Sequence, residues 1–520
     1  MKRILLTLVA LSALTLVARI ATADEGHVHE SMSGEKLGTV HFPISASAEA
    51  QKKFDRAVAL LHSFEYAQAE QGFREIADQD PKCAMAFWGI AMCNYHPIWG
   101  PTTPADVERG RVAVEAAVKL GGKTDREQAY IAAIQTYYKD PDRLDAPMRR
   151  VAYEKAMEQL HQRFPDDIEG TVFYALSILG NAPTTDKTYA TQKRAAELLN
   201  AVLPKAPDHP GVAHYLIHSL DYPGLAALAL PAARAYAKIA PSAPHAQHMP
   251  SHIFTRLGLW EESIKSNQAA AEAARAVMAK TNPGSTYFEE LHAMDYLTYA
   301  YLQLGDDTKA RGIVEAIQSV RNVNQETPSA AYAFAAVPAR YALERHKWDE
   351  AAKLTVSPEW FSWSKFTWAE ALIQTARGIG AARSGDVPAA NAALARIDEL
   401  HKTLMGVKDG YNWGDQVEVA AWEVEAWIAH AEKRENDAVR SLKSAADLED
   451  SIDKSPVTPG AMLPAREQLA DLLLELGHAQ QAVPLYEEVL KSSPGRRNSL
   501  RGLEKAKRDL SARDPSSSPR

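Results

Sequence analysis

Cysteine is almost absent from this chain: its 520 residues contain two, Cys83 and Cys93. Ten positions apart in one helical pattern, they would stand about 15 Å from each other, farther than a disulfide spans. No bridge framework holds the fold, so its stability must come from a buried core. After the first residues there is no further apolar run long enough to cross a bilayer, and no alternating strand pattern. Nucleophile elbows, phosphate-cradling glycine loops and paired CxxC motifs are also missing, which removes the nucleotide-binding classes. Excess positive charge is lacking as well. With 58 Lys and Arg against 66 Asp and Glu, the net charge is −8, which excludes nucleic acid as the expected partner.

The opening is different in character. MKRILLTLVALSALTLVARIATA starts with Lys2 and Arg3, runs apolar from Ile4 to Val17, and closes on Ala21-Thr22-Ala23, the small-x-small pattern of a signal peptidase site. The apolar stretch is shorter than the roughly 20 residues of a spanning helix, and Arg19 interrupts its end. Residues 1–23 therefore read as a signal peptide cleaved after Ala23, sending the protein to the periplasm or outside the cell. Residues 24–40 and 509–520 are polar or rich in Gly and Ser, and are expected as a disordered or extended N-terminal segment and a disordered tail.

What is present is a spaced pattern of small and apolar residues. Ala482, Tyr486, Val489 and Pro494 stand at offsets 0, 4, 7 and 12; Ala195, Leu199, Val202 and Pro207 repeat the spacing; Ala69, Phe73 and Pro81 supply 0, 4 and 12. A small residue where two helices cross, a large apolar one a turn later and a closing proline suit a repeated helix pair. Gly305 with Ala310, Gly477 with Ala482, and more loosely Gly258 with Ser263, mark further turns. On these residues the chain resembles the tetratricopeptide repeat (TPR) family over nearly all of its mature length. The resemblance implies an all-α fold: a right-handed α-solenoid of tetratricopeptide-like helix pairs over residues 41–508. Its concave groove, lined by the first helix of each pair, would receive a peptide or protein partner.

The period of the repeat also runs through the histidines. His214 and His218 are followed, 34 positions later, by His248 and His252. Two imidazoles at i and i+4 share one helical face and can grip a metal ion. Two such pairs on neighbouring helices can build a four-nitrogen shell or leave one position open. In the family that this chain resembles, repeat positions 2, 5 and 9 of a first helix face the groove. His214 and His218 then fall at 5 and 9, and His245, His248 and His252 at 2, 5 and 9. His292, Asp295 and Tyr299 take the same places in the next unit. The metal candidates are His214, His218, His248 and His252, with His245, His292 and Asp295 nearby and Asp295 as an oxygen ligand or an orienting group. Zinc, copper and iron all suit imidazole. Pro250, inside the second pair, forces the helix to start late or kink there. No HExxH string accompanies either pair, which argues against a simple zinc hydrolase.

Two readings follow. One is an exported scaffold without enzymatic activity. Its groove residues His214, His218, His245, His248, His252, His292, Asp295 and Tyr299, in units spanning about 195–310, would hold a peptide or protein ligand. The other is a metal-binding protein or metalloenzyme with a histidine cluster between adjacent repeats. Elsewhere, Trp88 and Tyr95 read as packing between helices, Glu467 and Asp471 as an acidic groove end or a solvated face, and Arg340 with Glu344 as an ordinary i,i+4 pair.

Overall fold

The apolar spacing is what the helices bury. Asp307–Ser319 covers Ala310, Val314 and Ile317; Ala479–Ser492 covers Ala482, Tyr486 and Val489; Ala190–Val202 covers Ala195, Leu199 and Val202. Each set is a stripe along one side, which seals the helix against its predecessor and leaves the other side in water. Phe288–Leu304 and Pro328–Leu343, by contrast, are buried along nearly their whole length, because neighbours surround them on every side. At the turn after Pro250–Arg256, Gly258 adopts φ 68°, and a Cβ there would lie 2.3 Å from the Pro494 carbonyl oxygen, so only glycine fits.

The computed structural model describes residues 35–98, 102–406 and 411–513. Among them regular structure is helical, with one isolated bridge between Thr286 and Val323. Successive helices pack on one another in sequence order, giving an all-α array of tetratricopeptide-like helix pairs. Leu37–Arg520 form one compact unit. Of Met1–Lys36, only Glu35 and Lys36 are described, both without helix or strand, and the expected signal peptide lies outside the described residues. Leu37 and Phe42 are buried, and the Thr39 N–H donates to the Asp208 carbonyl (2.9 Å), so the chain is extended and packed before the first helix. The last helix, Arg497–Arg513, continues past residue 508, where a disordered tail was expected to begin. No described helix is long and apolar enough to cross a membrane. Cys83 and Cys93 are free and buried. Trp88 and Tyr95 pack edge-on or tilted against Phe42, Tyr130, Tyr137 and Tyr153.

A simple solenoid touches only its neighbours in sequence. Here the last repeat reaches back. Arg496, fully buried, donates to both carboxylate oxygens of Glu467 (2.7 Å each) and to Glu344 (2.8 Å). Glu467 is therefore neutralised within the core, and Asp471 accepts from the Tyr486 hydroxyl (2.5 Å); neither forms an open acidic groove end. Arg340 and Glu344 take different partners: Arg340 donates to the Gly460 and Ala461 carbonyls (3.1 and 2.7 Å). Those carbonyls belong to a strap, residues 452–464, which joins Glu435–Ser451 to Ala465–Glu475 and lies across the first helices of earlier repeats. Tyr296 donates to its Thr458 carbonyl (3.0 Å), and its Lys454 ammonium meets Asp221 (3.0 Å). The face expected to stand open to a partner is filled here by the chain itself.

Candidate metal centre

His214 and His218 lie one turn apart on Pro210–Leu220. His245 and His248 belong to Pro244–His248, His252 to Pro250–Arg256, and His292 to Phe288–Leu304. Pro250 does interrupt the helix, as its missing N–H requires. Met249 nevertheless keeps helical angles (φ −52°, ψ −36°), so the pair across the break stays in register. The Nε2 atoms of His248 and His252 are 3.0 Å apart, and those of His214 and His218 are 3.1 Å apart.

The four histidines of the two pairs do not form one shell. Ring nitrogens of His214, His218 and His245 lie within 4.8 Å of one another, and so do those of His248, His252 and His292. Between the two sets the ring centroids of His218 and His252 are 6.4 Å apart, and those of His245 and His248 are 6.3 Å apart. Each i,i+4 pair takes its third imidazole from position 2 of the following first helix. Two neighbouring three-histidine sites result, built the same way by successive repeats.

The outer ring nitrogens are held by oxygens. His214 Nδ1 donates to the His62 carbonyl (2.6 Å), His248 Nδ1 to Asn267 Oδ1 (2.7 Å) and His252 Nδ1 to Asp221 Oδ2 (2.9 Å). Asn267 presents its oxygen because its amide nitrogen donates to the Ser263 carbonyl (2.8 Å). An oxygen acceptor fixes the proton on Nδ1, so each neutral ring carries a lone pair at Nε2. In the His248–His252 pair those two lone pairs point at each other across 3.0 Å, which is repulsive unless a cation lies between them. A proton is disfavoured, because burial pushes the His248 imidazolium down to about 4 and that of His252 well below its ordinary value. Nor does Tyr296 help. Its hydroxyl is 3.3 Å from His252 Nε2 but donates to the Thr458 carbonyl. Inward lone pairs with oxygen-anchored outer nitrogens are how proteins present imidazole to a metal ion.

Asp221 is the orienting carboxylate. It also meets Arg256 (2.9 Å) and Lys454 (3.0 Å), and these two charges hold it well below the usual carboxylate range against the upward push of burial. Asp295, expected in that role, turns instead toward Arg340, 3.8 Å away, and burial raises its carboxyl to about 7. Tyr299 lies under the Arg340 guanidinium and accepts from Arg496 (3.3 Å), so it belongs to the ionic core. His214, His245, His248, His252, His292, Asp295 and Tyr299 are all buried and His218 is half-buried.

Both sites are roofed by aromatic rings. Phe64, held at φ 57°, lies 4.4, 5.5 and 5.7 Å from the rings of His214, His245 and His218. A left-handed phenylalanine costs about 1–2 kcal/mol, which packing must offset. Tyr296 lies 4.8, 5.1 and 5.4 Å from the rings of His248, His252 and His292. Beside the first site, Glu289 approaches His245 Nδ1 (3.3 Å). Burial raises Glu289 to about 7; burial and then the charge of Glu289 raise Glu65 to about 8.

A third cluster, His62, Glu169 and His209, behaves differently. Both histidines bond the carboxylate through Nε2 (2.8 Å each), while His62 Nδ1 accepts from Tyr215 (3.0 Å) and His209 Nδ1 from the Val212 N–H (3.3 Å). Every ring nitrogen is satisfied, and no cation is required. This network anchors His62, whose carbonyl orients His214. No local signal in the sequence marks these three residues, Asn267 or Phe64. Asp221 stands three positions after His218 in the sequence but bonds His252.

No protein-family model and no curated protein matches the chain. Solved structures similar to it include a TPR domain (13% identity, covering 90% of this chain and 99% of that chain, TM-score 0.20). Yeast Tom70 is another (13%, 91% and 97%, TM-score 0.36), as is the human IFIT1 dimer with PPP-AAAA (12%, 90% and 96%, TM-score 0.38).

Proposed function

We propose that this chain is an exported helical-repeat metalloprotein that holds two transition-metal ions side by side. One lies between His214, His218 and His245, the other between His248, His252 and His292. The observation that carries this reading is the 3.0 Å approach of two lone-pair nitrogens in the His248–His252 pair, which a shared ion relieves. Zinc, copper and iron are each compatible with three imidazoles, and three protein ligands leave a coordination position for water or an exogenous ligand. Such a centre supports Lewis-acid or redox chemistry according to the ion it holds. Export rests on the basic start, apolar stretch and Ala21-Thr22-Ala23 site of the first residues. The scaffold reading is less favoured at the second site: a peptide would have to displace the strap before reaching His248, His252 and His292.

The test is elemental analysis of residues 24–520, purified without a histidine tag and offered zinc, copper and iron in turn. About two equivalents of one ion are expected. The His248→Ala/His252→Ala/His292→Ala variant should retain about one. A folded, helical protein that takes up none of the three ions would overturn the proposal.

A further inference from the structure

The strap borders both the second three-histidine site, through Tyr296, and a cavity. Pro456, Pro459 and Pro464 prevent it from forming a helix, yet Val457, Thr458, Met462 and Leu463 are buried. It is gripped through its main chain, through the charged side chains of Asp453 and Lys454, and through Val457, Met462 and Leu463 in the apolar core. Tyr411 donates to the Asp453 carbonyl (2.7 Å), Tyr296 to Thr458 (3.0 Å) and Arg340 to Gly460 and Ala461 (3.1 and 2.7 Å). Two charged side chains complete the hold: Lys454 shares Asp221 Oδ2 with His252, and Asp453 meets Lys187 (2.8 Å). Lys454, Thr458 and Gly460 also line a cavity of about 370 Å³, together with Tyr332, Tyr411 and Trp413.

We infer that the strap is a gate over the second metal site, with Lys454–Asp221 as its latch and the cavity as its antechamber. This rests on the two-ion reading. The flanking helices cannot open without exposing the apolar core that sets them in place. The strap exposes less: Val457, Met462 and Leu463 would leave the core, and the rest of its hold is a few hydrogen bonds and two ion pairs, each exchangeable for water. Tyr296 ties the gate to the site: its ring packs on all three histidines, and its hydroxyl holds the Thr458 carbonyl. Among the described residues no such strap covers the first site, which is roofed by Phe64 from the turn that follows Ala48–His62.

The test measures zinc uptake and zinc release to a chromogenic chelator in the full mature chain and in two variants. Lys454→Met removes the latch. Tyr411→Phe frees the start of the strap without touching Asp221 or any histidine. The phase belonging to the second site is the one missing from the His248→Ala/His252→Ala/His292→Ala variant. A gate predicts that association and dissociation of this phase both accelerate, by about tenfold for loss of one charge-assisted hydrogen bond. The zinc affinity and the other phase should be unchanged. Faster dissociation alone would mean that Lys454 acts on His252 through Asp221, and would overturn the gate. So would unchanged rates in both variants at full stoichiometry. Failure of the underlying reading looks different, since wild-type protein would then take up no zinc at all.

Discussion

His248 and His252 face each other through Nε2 atoms 3.0 Å apart, after each ring has given its Nδ1 proton to an oxygen, of Asn267 and Asp221 respectively. Empty, this pair is strained; filled by a cation, it is a ligand set. Binding and stability therefore pull in opposite directions at this point.

His248→Phe keeps a ring in place and removes one of the two facing lone pairs. Metal at the second site should be lost, while the metal-free protein keeps its helical content and its thermal midpoint stays within about 5 °C of wild type. Elemental analysis and circular dichroism melts read the two effects. A variant that still carries both ions would refute the ligand assignment.

Asp221→Asn tests the orienting carboxylate. Arg256 and Lys454 lose their shared anion inside the protein, which costs about 3–5 kcal/mol. His252 loses the acceptor that fixes its tautomer, so affinity at the second site should fall by about 10–100-fold. Urea unfolding and metal titration measure these separately. Unchanged affinity would show that Asp221 serves the strap alone.

Acid should remove the stability that the buried neutral histidines contribute to the metal-free protein. Burial lowers His62, His214, His218, His245, His248, His252 and His292 below the ordinary 6.5. At each of these rings the unfolded chain then binds more protons than the folded one as pH drops below 6.5, and that ring's contribution to stability falls with it. For His248 the loss spreads from 6.5 to about 4 and amounts to about 3 kcal/mol. Glu65, Glu289 and Asp295, raised by burial, add stability over the same range, so the histidine effect is read by difference. The urea midpoint of metal-free wild type relative to His248→Phe should fall from pH 8 to pH 5, and a constant difference would contradict a buried neutral imidazole at 248.

Glu169→Gln separates the third cluster from the metal sites. Burial of the Glu169 carboxylate is offset by His209 and His62, which hold it well below its usual range. Replacement should destabilise the fold by about 1–3 kcal/mol and leave metal stoichiometry unchanged. Loss of an equivalent of metal would mean that this cluster is a ligand set after all.

The helix pairs were legible because their information is local. Ala482, Tyr486 and Val489, or Ala195, Leu199 and Val202, are buried where their spacing predicts, since a stripe of small and apolar residues on one helix already says which side must be covered. The two histidine pairs were legible for the same reason, being one turn apart on one face. The grouping into threes was half-visible: His245 and His292 occupied the right repeat position, but their pairing with the preceding unit depends on how adjacent first helices are staggered.

The sequence by itself therefore determined the repeat, the apolar faces that build it, and the two i,i+4 histidine pairs, all of which depend on spacing within a single helix or a single repeat. Only the tertiary structure decided which imidazoles share a site, that Asp221 rather than Asp295 orients His252, and that the strap lies across the groove. Those contacts join residues as far apart as Asp221 with His252, 31 positions away, and Asp221 with Lys454, 233 positions away. Ligand geometry is set to within a fraction of an ångström by helix stagger and loop path, and no periodicity along the chain encodes either.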